Sequence, residues 1–155
     1  MTLKVGQLAP DIKLPSTTGK EFNLSKDKYS KALIIYFYPK DFTPGCTQEA
    51  CDFRDTFEYL REMDIEVVGI SRDTIETHLE FKKKNNLPFE LLSDMEGKVA
   101  KMYDATLPLI SFTKRVTYLL DKKHNIVAVY ENLFGAKKHI KEMIKEVKAG
   151  KSYQV

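Results

Sequence analysis

Cys46 and Cys51 are the only cysteines of the 155-residue chain, and they are its first candidates for chemistry. A cysteine thiolate is a strong nucleophile and a metal ligand, so the pair could support redox catalysis or metal binding. The C-x4-C spacing differs from the C-x2-C of thioredoxin-like dithiols and zinc knuckles, and a zinc site needs about four ligands. The three histidines (His78, His124 and His139) are scattered, and we expect them at surface or helix-face positions. No metal site is therefore predicted.

The segment from Pro39 to Cys46 lies between the predicted end of a buried strand and the start of a helix. In open α/β sheets, ligands bind beyond the carboxyl ends of the strands, which is where this loop falls. Thr43 is a candidate N-cap, and Pro44 and Gly45 are typical of a helix start. Cys46 then lies in the first turn, where free backbone N–H groups and the helix dipole favour a thiolate. Position alone is equally consistent with a small apolar residue on a buried stripe.

Two continuous apolar runs predict the core strands on either side of this segment, at Ala32–Tyr38 and Ile65–Ile70. Between them, residues 46 to about 62 predict a helix, because apolar side chains recur on one helical face. That stripe consists of Cys46, Ala50, Phe53, Phe57 and Leu60. A strand, a helix and a strand in this order indicate a parallel pair with a right-handed crossover.

Shorter apolar runs bounded by turn residues indicate further strands. Residues 11–24 predict a short hairpin, and a short strand is expected near Phe89–Leu92. Val116–Leu120 and Ile126–Tyr130 predict an antiparallel hairpin, because a short polar turn joins them.

Two more helices are predicted. Asp73 is the expected N-cap of one, because Glu76 three residues later completes a capping-box pattern, and this helix extends to about Asn85. The last helix ends at Gly150. Its predicted apolar face consists of Ala136, Ile140, Met143, Ile144 and Val147.

The order of these elements predicts the fold class. It is α/β, with a central mixed β-sheet that carries helices on both faces, and a thioredoxin-like fold is the best specific match to the order. We find no internal repeat and no low-complexity linker, so residues 1–155 are expected to form a single domain.

Composition argues against several classes of function. The net charge of +3, from 25 basic and 22 acidic residues, is too small to predict nucleic-acid binding, and the run Lys82–Lys84 is expected to be one solvated helix face. No stretch approaches the ~20 consecutive apolar residues that a membrane span needs. The N-terminus lacks the apolar core of a signal peptide. We therefore expect a cytoplasmic protein whose cysteines are reduced at rest.

Pro39, Thr43 and Cys46 reproduce P-x-x-x-T-x-x-C, the active-site signature of the peroxiredoxins. The longer string TPGCTQEAC, which ends at Cys51, resembles the two-cysteine Q-type (bacterioferritin-comigratory) branch of that family. Similar strings extend over most of the chain, through the region around His139. They include YFYPKDFTPGCT, VVGISRD, LPFELLSDMEGKVAKMY and RVTYLLDKKHNIV.

The resemblance implies a role for each matching residue. Cys46 matches the peroxidatic cysteine, which attacks the O–O bond, and Cys51 matches the resolving cysteine. Thr43 matches the hydroxyl that bonds the sulfur and orients the peroxide. Pro39 matches the residue that shields the sulfur from water, and Arg115 matches the arginine that stabilises the thiolate and the developing oxygen charge. Fixed donors aimed at a developing oxyanion lower the barrier, which is consistent with these roles.

Simpler interpretations stay open for several of these residues. Arg115 could be a strand-edge surface charge, Thr43 only a cap and Pro39 only a strand stop. Glu49 could partner an arginine or could be an exposed helix-face carboxylate. The segment Thr106–Lys114 does not match the family well and could reshape the rim of the pocket.

The resemblance implies an enzyme without a cofactor that reduces hydrogen peroxide or organic hydroperoxides. It forms a Cys46–Cys51 disulfide and is regenerated by thioredoxin or a similar dithiol. The branch is often monomeric, so a monomer or a weak dimer is expected. Two other functions use the same residues: a redox sensor that switches through the two cysteines, and a thioredoxin-like binding module whose cysteines are structural.

Overall fold

The computed structural model describes residues 2–27, 31–110, 112–132, 139, 141–143 and 145. Its strands and α-helices follow one another in the order the sequence predicts, with an additional short helix, α3. In chain order they are β1 (Lys13–Pro15), β2 (Glu21–Asn23), β3 (Ala32–Phe37), α1 (Pro44–Glu62), β4 (Ile65–Ser71), α2 (Ile75–Asn85), β5 (Glu90–Ser93), α3 (Lys98–Met102), β6 (Val116–Leu120) and β7 (Ile126–Glu131).

The central strand of the sheet is β3, whose six side chains are all buried, as its continuous apolar run predicts. The five-stranded sheet has the strand order β5-β4-β3-β6-β7, and β1 and β2 form a separate antiparallel pair. Strands β4 and β5 run parallel to β3, while β6 and β7 extend the sheet in antiparallel fashion. The predicted mixed sheet and both predicted hairpins are confirmed.

The pairing of β3 with β6 brings distant parts of the chain together. Phe37, at the carboxyl end of β3, lies opposite Val116, at the amino end of β6. The loop that follows β3 and the residue that precedes β6 therefore meet at one edge of the sheet. This edge carries Cys46 from α1 and Arg115 from the segment before β6.

Alternation along β3 divides its side chains between two apolar layers. Ile34 and Tyr36 pack on the layer that contains Phe53 of α1. Leu33, Ile35 and Phe37 belong to the other, which contains α3 and the N-terminal segment. Helices thus cover both faces of the sheet, as predicted.

Three details differ from the prediction. The N-cap of α2 is Thr74, whose side chain accepts a hydrogen bond from the Thr77 N–H, and not Asp73. Asp73 instead accepts hydrogen bonds from the Asp41 backbone N–H and the Ser71 hydroxyl. A carboxylate with two donors close by in space is drawn away from the helix end, which a local capping pattern cannot reveal.

The second and third differences concern short helices and one side chain. The sequence pattern missed α3 and a 3₁₀ helix at Leu24–Asp27, both of which are too short to show a periodicity. Phe57, predicted on the buried stripe of α1, is only partly buried. Most of the predicted C-terminal helix lies outside the described residues, although residue 139 and residues 141–143 are helical.

No helix in the described ranges is both long enough and apolar enough to cross a membrane.

Candidate active site

Cys46 lies in the first turn of α1, as the sequence predicts. Thr43 occupies the N-cap position with an extended backbone, and Pro44 follows it at the helix start. The Cys46 side chain is only 1% exposed, and its sulfur is a free thiol. The site therefore combines a buried thiol with the positive end of a helix dipole.

Arg115 makes the decisive contact with this sulfur. Its Nη2 donates a hydrogen bond to Cys46 Sγ over 3.2 Å, and its Nη1 donates to Glu49 Oε1 over 2.6 Å. Gly45 leaves room for this contact, because a Cβ at that position would lie only 3.2 Å from Arg115 Nη2. The structure thus excludes the interpretation of Arg115 as a surface charge and gives Glu49 an arginine partner.

Glu49 holds the guanidinium from the interior of the protein, where its own side chain is fully buried. Burial raises the pKa of Glu49 to about 8, against the opposing effect of Arg115. Burial also works to lower the pKa of Arg115, but the nearby Glu49 and Cys46 charges outweigh it and raise that pKa. Arg115 therefore stays charged and can serve as a fixed donor to the sulfur.

His139 lies behind Glu49 and was not expected at the site. Its Nδ1 is 3.7 Å from Glu49 Oε2, too far for a hydrogen bond, and 2.8 Å from the Thr117 hydroxyl. Its Nε2 donates to the Asn132 carbonyl over 2.8 Å. Since Nε2 must carry the proton, Nδ1 of the neutral ring accepts from Thr117. Burial lowers the pKa of His139 to about 4, so the ring is neutral at pH 7.

Contrary to the prediction, the histidines do not lie at the surface, because His78, His124 and His139 are all buried. Two of them, His78 and His139, do lie on helices. His78 and His139 each have both ring nitrogens engaged in hydrogen bonds. A buried imidazole needs such partners, and they come from residues that are distant in sequence, so local pattern could not supply them.

Thr43 and Pro39 lie along the loop that leads to Cys46. The Thr43 hydroxyl makes no capping hydrogen bond and donates to the Lys40 carbonyl over 2.8 Å. Its oxygen keeps lone pairs that can accept a hydrogen bond from a peroxide. Pro39 is half-buried at the start of the loop. The roles that the resemblance implies for Thr43 and Pro39 stay predictions, and in this structure the Thr43 hydroxyl gives its proton to Lys40 and not to the Cys46 sulfur.

Cys51 lies in the same helix as Cys46, one turn and a half further on. It is half-buried, and its Sγ contacts Asn85 Oδ1 at 3.7 Å. Helix α1 is continuous from Pro44 to Glu62, and both cysteines on it are free thiols. The structure therefore describes the reduced protein.

A second polar cluster adjoins the site and was also missed. Asp41, Asp73 and His78 place one potential ligand atom each within 4.8 Å of one another, in the described part of the chain. These atoms already bind protein groups: Asp41 and His78 bind each other, and Asp73 accepts from the Asp41 backbone. The cluster is thus satisfied without a metal ion.

The segment Thr106–Lys114, which matched the family poorly, lies immediately before Arg115. It exposes apolar side chains, and Leu109, with a positive φ of 68°, is completely exposed. At its end Lys114 is buried and forms an ion pair with Glu131 over 2.7 Å. The segment is therefore held at the base beside Arg115 and exposed at its tip.

Comparisons with known proteins agree with this geometry. The model of the AhpC/TSA family matches residues 5–129. The chain is 42% identical over 154 residues to the protein named Peroxiredoxin Bcp of Bacillus subtilis (strain 168), covering 96% of this chain and 97% of that protein.

Solved structures show the same fold. Peroxidoxin BcpB from Mycobacterium tuberculosis superposes with a TM-score of 0.89 at 30% identity, covering 96% of this chain and 99% of that chain. The bacterioferritin comigratory protein of Xanthomonas campestris, described for its alkyl peroxide reduction activity, gives a TM-score of 0.82 at 26% identity, covering 94% and 98%. These structures confirm the thioredoxin-like fold.

Proposed function

Since this chain belongs to the AhpC/TSA family and, within it, to the Q-type peroxiredoxins, which are thiol-dependent peroxidases, we propose that Cys46 is its peroxidatic cysteine. The observation that carries the proposal is the 3.2 Å hydrogen bond from Arg115 to the Cys46 sulfur at the start of α1. A permanent cation and a helix N-terminus both favour the thiolate, which is the nucleophile.

The first step is attack of the Cys46 thiolate on the terminal oxygen of the peroxide. The S–O bond forms, the O–O bond breaks, and the other oxygen leaves as an alkoxide or hydroxide that takes up a proton. Arg115 faces the sulfur and so also faces the oxygen on which charge develops. The Thr43 hydroxyl is suited to accept from the peroxide, and Pro39 limits the access of water.

The second step resolves the resulting sulfenic acid. The Cys51 thiol attacks the oxidised sulfur, a Cys46–Cys51 disulfide forms, and the sulfenic oxygen leaves as water. A dithiol protein of the thioredoxin type then supplies two electrons and restores both thiols. Because both cysteines belong to one helix, the cycle needs only one copy of the chain, and we propose that the protein acts as a monomer. We also propose that it works in the cytoplasm.

The proposed substrates are hydrogen peroxide and organic hydroperoxides. The reaction requires only the O–O–H group at the sulfur, so the remainder of the substrate affects entry more than chemistry. The alkyl peroxide reduction described for the Xanthomonas campestris relative supports the inclusion of organic hydroperoxides.

Peroxide consumption by purified protein with an excess of dithiothreitol tests the proposal. Cys46→Ser should abolish turnover, because a hydroxyl is a poor nucleophile at neutral pH. Cys51→Ser is the matched control: without dithiothreitol it should still reduce one equivalent of peroxide, and it should form no intramolecular disulfide by intact mass. Near wild-type turnover in Cys46→Ser would refute the assignment, and stoichiometric oxidation of the wild type without turnover would indicate a redox sensor.

A further inference from the structure

The loop between β3 and α1 contains a strained residue. Phe42 has a φ of 67°, a region that bulky residues other than glycine rarely adopt. Its ring packs edge-on against Phe81 of α2 at 5.2 Å, and Lys84 of the same helix lies 5.9 Å from the ring centre. A strained backbone persists only where surrounding contacts hold it, so α2 is the element that maintains this loop.

Asp41, the residue before Phe42, is the buried anchor of the loop. Its Oδ2 lies 2.6 Å from His78 Nδ1, and its Oδ1 accepts a hydrogen bond from the Tyr38 hydroxyl over 2.6 Å. Its backbone N–H donates to Asp73 Oδ2 over 2.9 Å. Asp41 and His78 are both nearly inaccessible to solvent. The loop is thus attached to the start of α2 through main chain and side chain together.

The protons at this contact follow from its partners. His78 Nε2 lies 2.9 Å from the Leu92 carbonyl, which can only accept, so Nε2 carries a proton. One further proton must lie between His78 Nδ1 and Asp41 Oδ2, since two bare acceptors at 2.6 Å would repel each other. An asparagine at position 41 could supply that proton from its amide, which preserves the geometry without a charge.

We propose that Asp41 and His78 form a positioning clamp for the peroxide step. Cys46 lies between two fixed points: Arg115 holds its sulfur from the β6 side, and the clamp holds the preceding loop from the α2 side. The clamp sets where Thr43 stands relative to the sulfur, and that distance matters only when a peroxide must be aligned for attack. Alignment errors of about 1 Å can cost two orders of magnitude in rate. This inference rests on the proposed function of Cys46.

The test compares two reactions of the same sulfur in a Cys51→Ser background, where no disulfide can form. One is the rate constant for oxidation by hydrogen peroxide, and the other is the rate of alkylation by iodoacetamide, which needs the thiolate but no aligned peroxide. Asp41→Ala should lower the first by about 10- to 100-fold and change the second little. Asp41→Asn should restore the peroxide rate, because it keeps the hydrogen bonds.

Two further variants separate positioning from folding. Asp41→Ala leaves His78 Nδ1 without its carboxylate partner, so the double variant Asp41→Ala, His78→Phe removes both members of that pair, while the Tyr38 hydroxyl and the Leu92 carbonyl each still lose one partner. It should show the same selective loss. Leu120→Ala, in the core on the opposite face of the sheet, should lower stability without that selective loss.

The outcomes are distinct. A normal peroxide rate in both clamp variants, or an equal loss of the two reactions, would overturn the clamp. Failure of Asp41→Asn to restore the rate would show that charge, and not position, is what Asp41 supplies, and would also overturn it. If the Cys51→Ser parent itself reacted with peroxide no faster than a free thiol, the proposed function would fail, and the clamp would fail with it.

Discussion

Arg115 holds two acceptors at once because its guanidinium is a planar fork of N–H donors. One donor binds Glu49 and fixes the orientation of the group, and the other points at the Cys46 sulfur. Glu49 and Cys46 are both buried, which strengthens the electrostatic effect of each contact. At the scale of single residues, the candidate site is therefore an oriented cation beside a buried thiol.

Arg115→Lys should slow oxidation of Cys46 by hydrogen peroxide about 10- to 100-fold, because one ammonium group cannot hold both acceptors in place. Arg61→Lys, which alters an exposed pair with Glu58 on the same helix, is the matched control and should react normally. An unchanged rate of oxidation in Arg115→Lys would remove the guanidinium from the proposed mechanism.

At the scale of the helices and strands, the geometry of α1 limits whether Cys46 and Cys51 can form a disulfide. Residues five apart on an α-helix are separated by roughly 8–9 Å between Cα atoms and point in different directions. A disulfide tolerates at most about 7 Å with converging Cβ vectors. Cys46 points into the protein, and Cys51 lies against Asn85 of α2. The two sulfurs cannot bond while this part of α1 stays helical.

Oxidation should therefore unwind at least the first turn or two of α1. Backbone amide exchange at residues 47–52 should be slow in the reduced protein and fast in the Cys46–Cys51 disulfide form, while residues 65–71 of β4 serve as the internal reference. Equal protection in both forms, with the disulfide confirmed by mass, would contradict the geometric argument. Disulfides that join only separate chains would instead remove Cys51 from the resolving role.

The pairing of β3 with β4 sets a second constraint, close to the site. Gly69 lies opposite Tyr36, whose ring stacks on Phe53 of α1 at 4.7 Å. A Cβ on Gly69 would approach Tyr36 Cζ to 2.7 Å and Leu91 Cδ2 to 2.9 Å. The glycine therefore makes room for the aromatic ring that supports the helix.

Gly69→Ala should lower the free energy of unfolding by about 1–3 kcal/mol, as overpacking of a core does. Urea denaturation of the reduced protein measures this loss. The double variant Gly69→Ala, Tyr36→Leu should lose less than the sum of its two single variants, because the leucine vacates the space that the new methyl group needs. Strict additivity would show that the ring is not the obstacle.

The whole molecule contributes groups to the site from distant parts of the chain. Cys46 and Glu49 come from α1, Arg115 precedes β6, and His139 lies near the C-terminus. His139 packs against the ring of Tyr130 and binds Thr117 and the Asn132 carbonyl. It thereby connects residue 139 to β6 and to the residues around the end of β7, on the interior side of the candidate active site.

His139 should make the stability of the molecule sensitive to acid. Its pKa is lowered by burial from 6.5 to about 4 in the folded state, so the unfolded chain takes up a proton first as pH falls. This contribution is fully present above about pH 6.5 and is lost progressively down to about pH 4. Over that window the wild type should lose about 1–3 kcal/mol more than His139→Gln, as measured by urea denaturation at several pH values. Parallel pH curves for the two proteins would show that folding does not lower the pKa of His139.

Local pattern by itself determined most elements and placed Cys46 at the start of a helix. The spacing of apolar residues placed the core strands and α1, and Thr43, Pro44 and Gly45 marked the helix start that carries Cys46. These signals suffice because strand and helix periodicity, like helix-start chemistry, act over a few neighbouring residues. The resemblance to the peroxiredoxins then pointed to Arg115, which no spacing rule would have connected with Cys46.

Only the tertiary structure decided which polar groups meet. Arg115 lies 66 residues from Glu49, and Asp41 lies 37 residues from His78, so neither pair leaves a trace in local sequence. Thr74 rather than Asp73 caps α2 for the same reason, because the backbone of Asp41 claims the Asp73 carboxylate. Burial makes each such group require a partner, but the strand order of the sheet determines which partner is within reach.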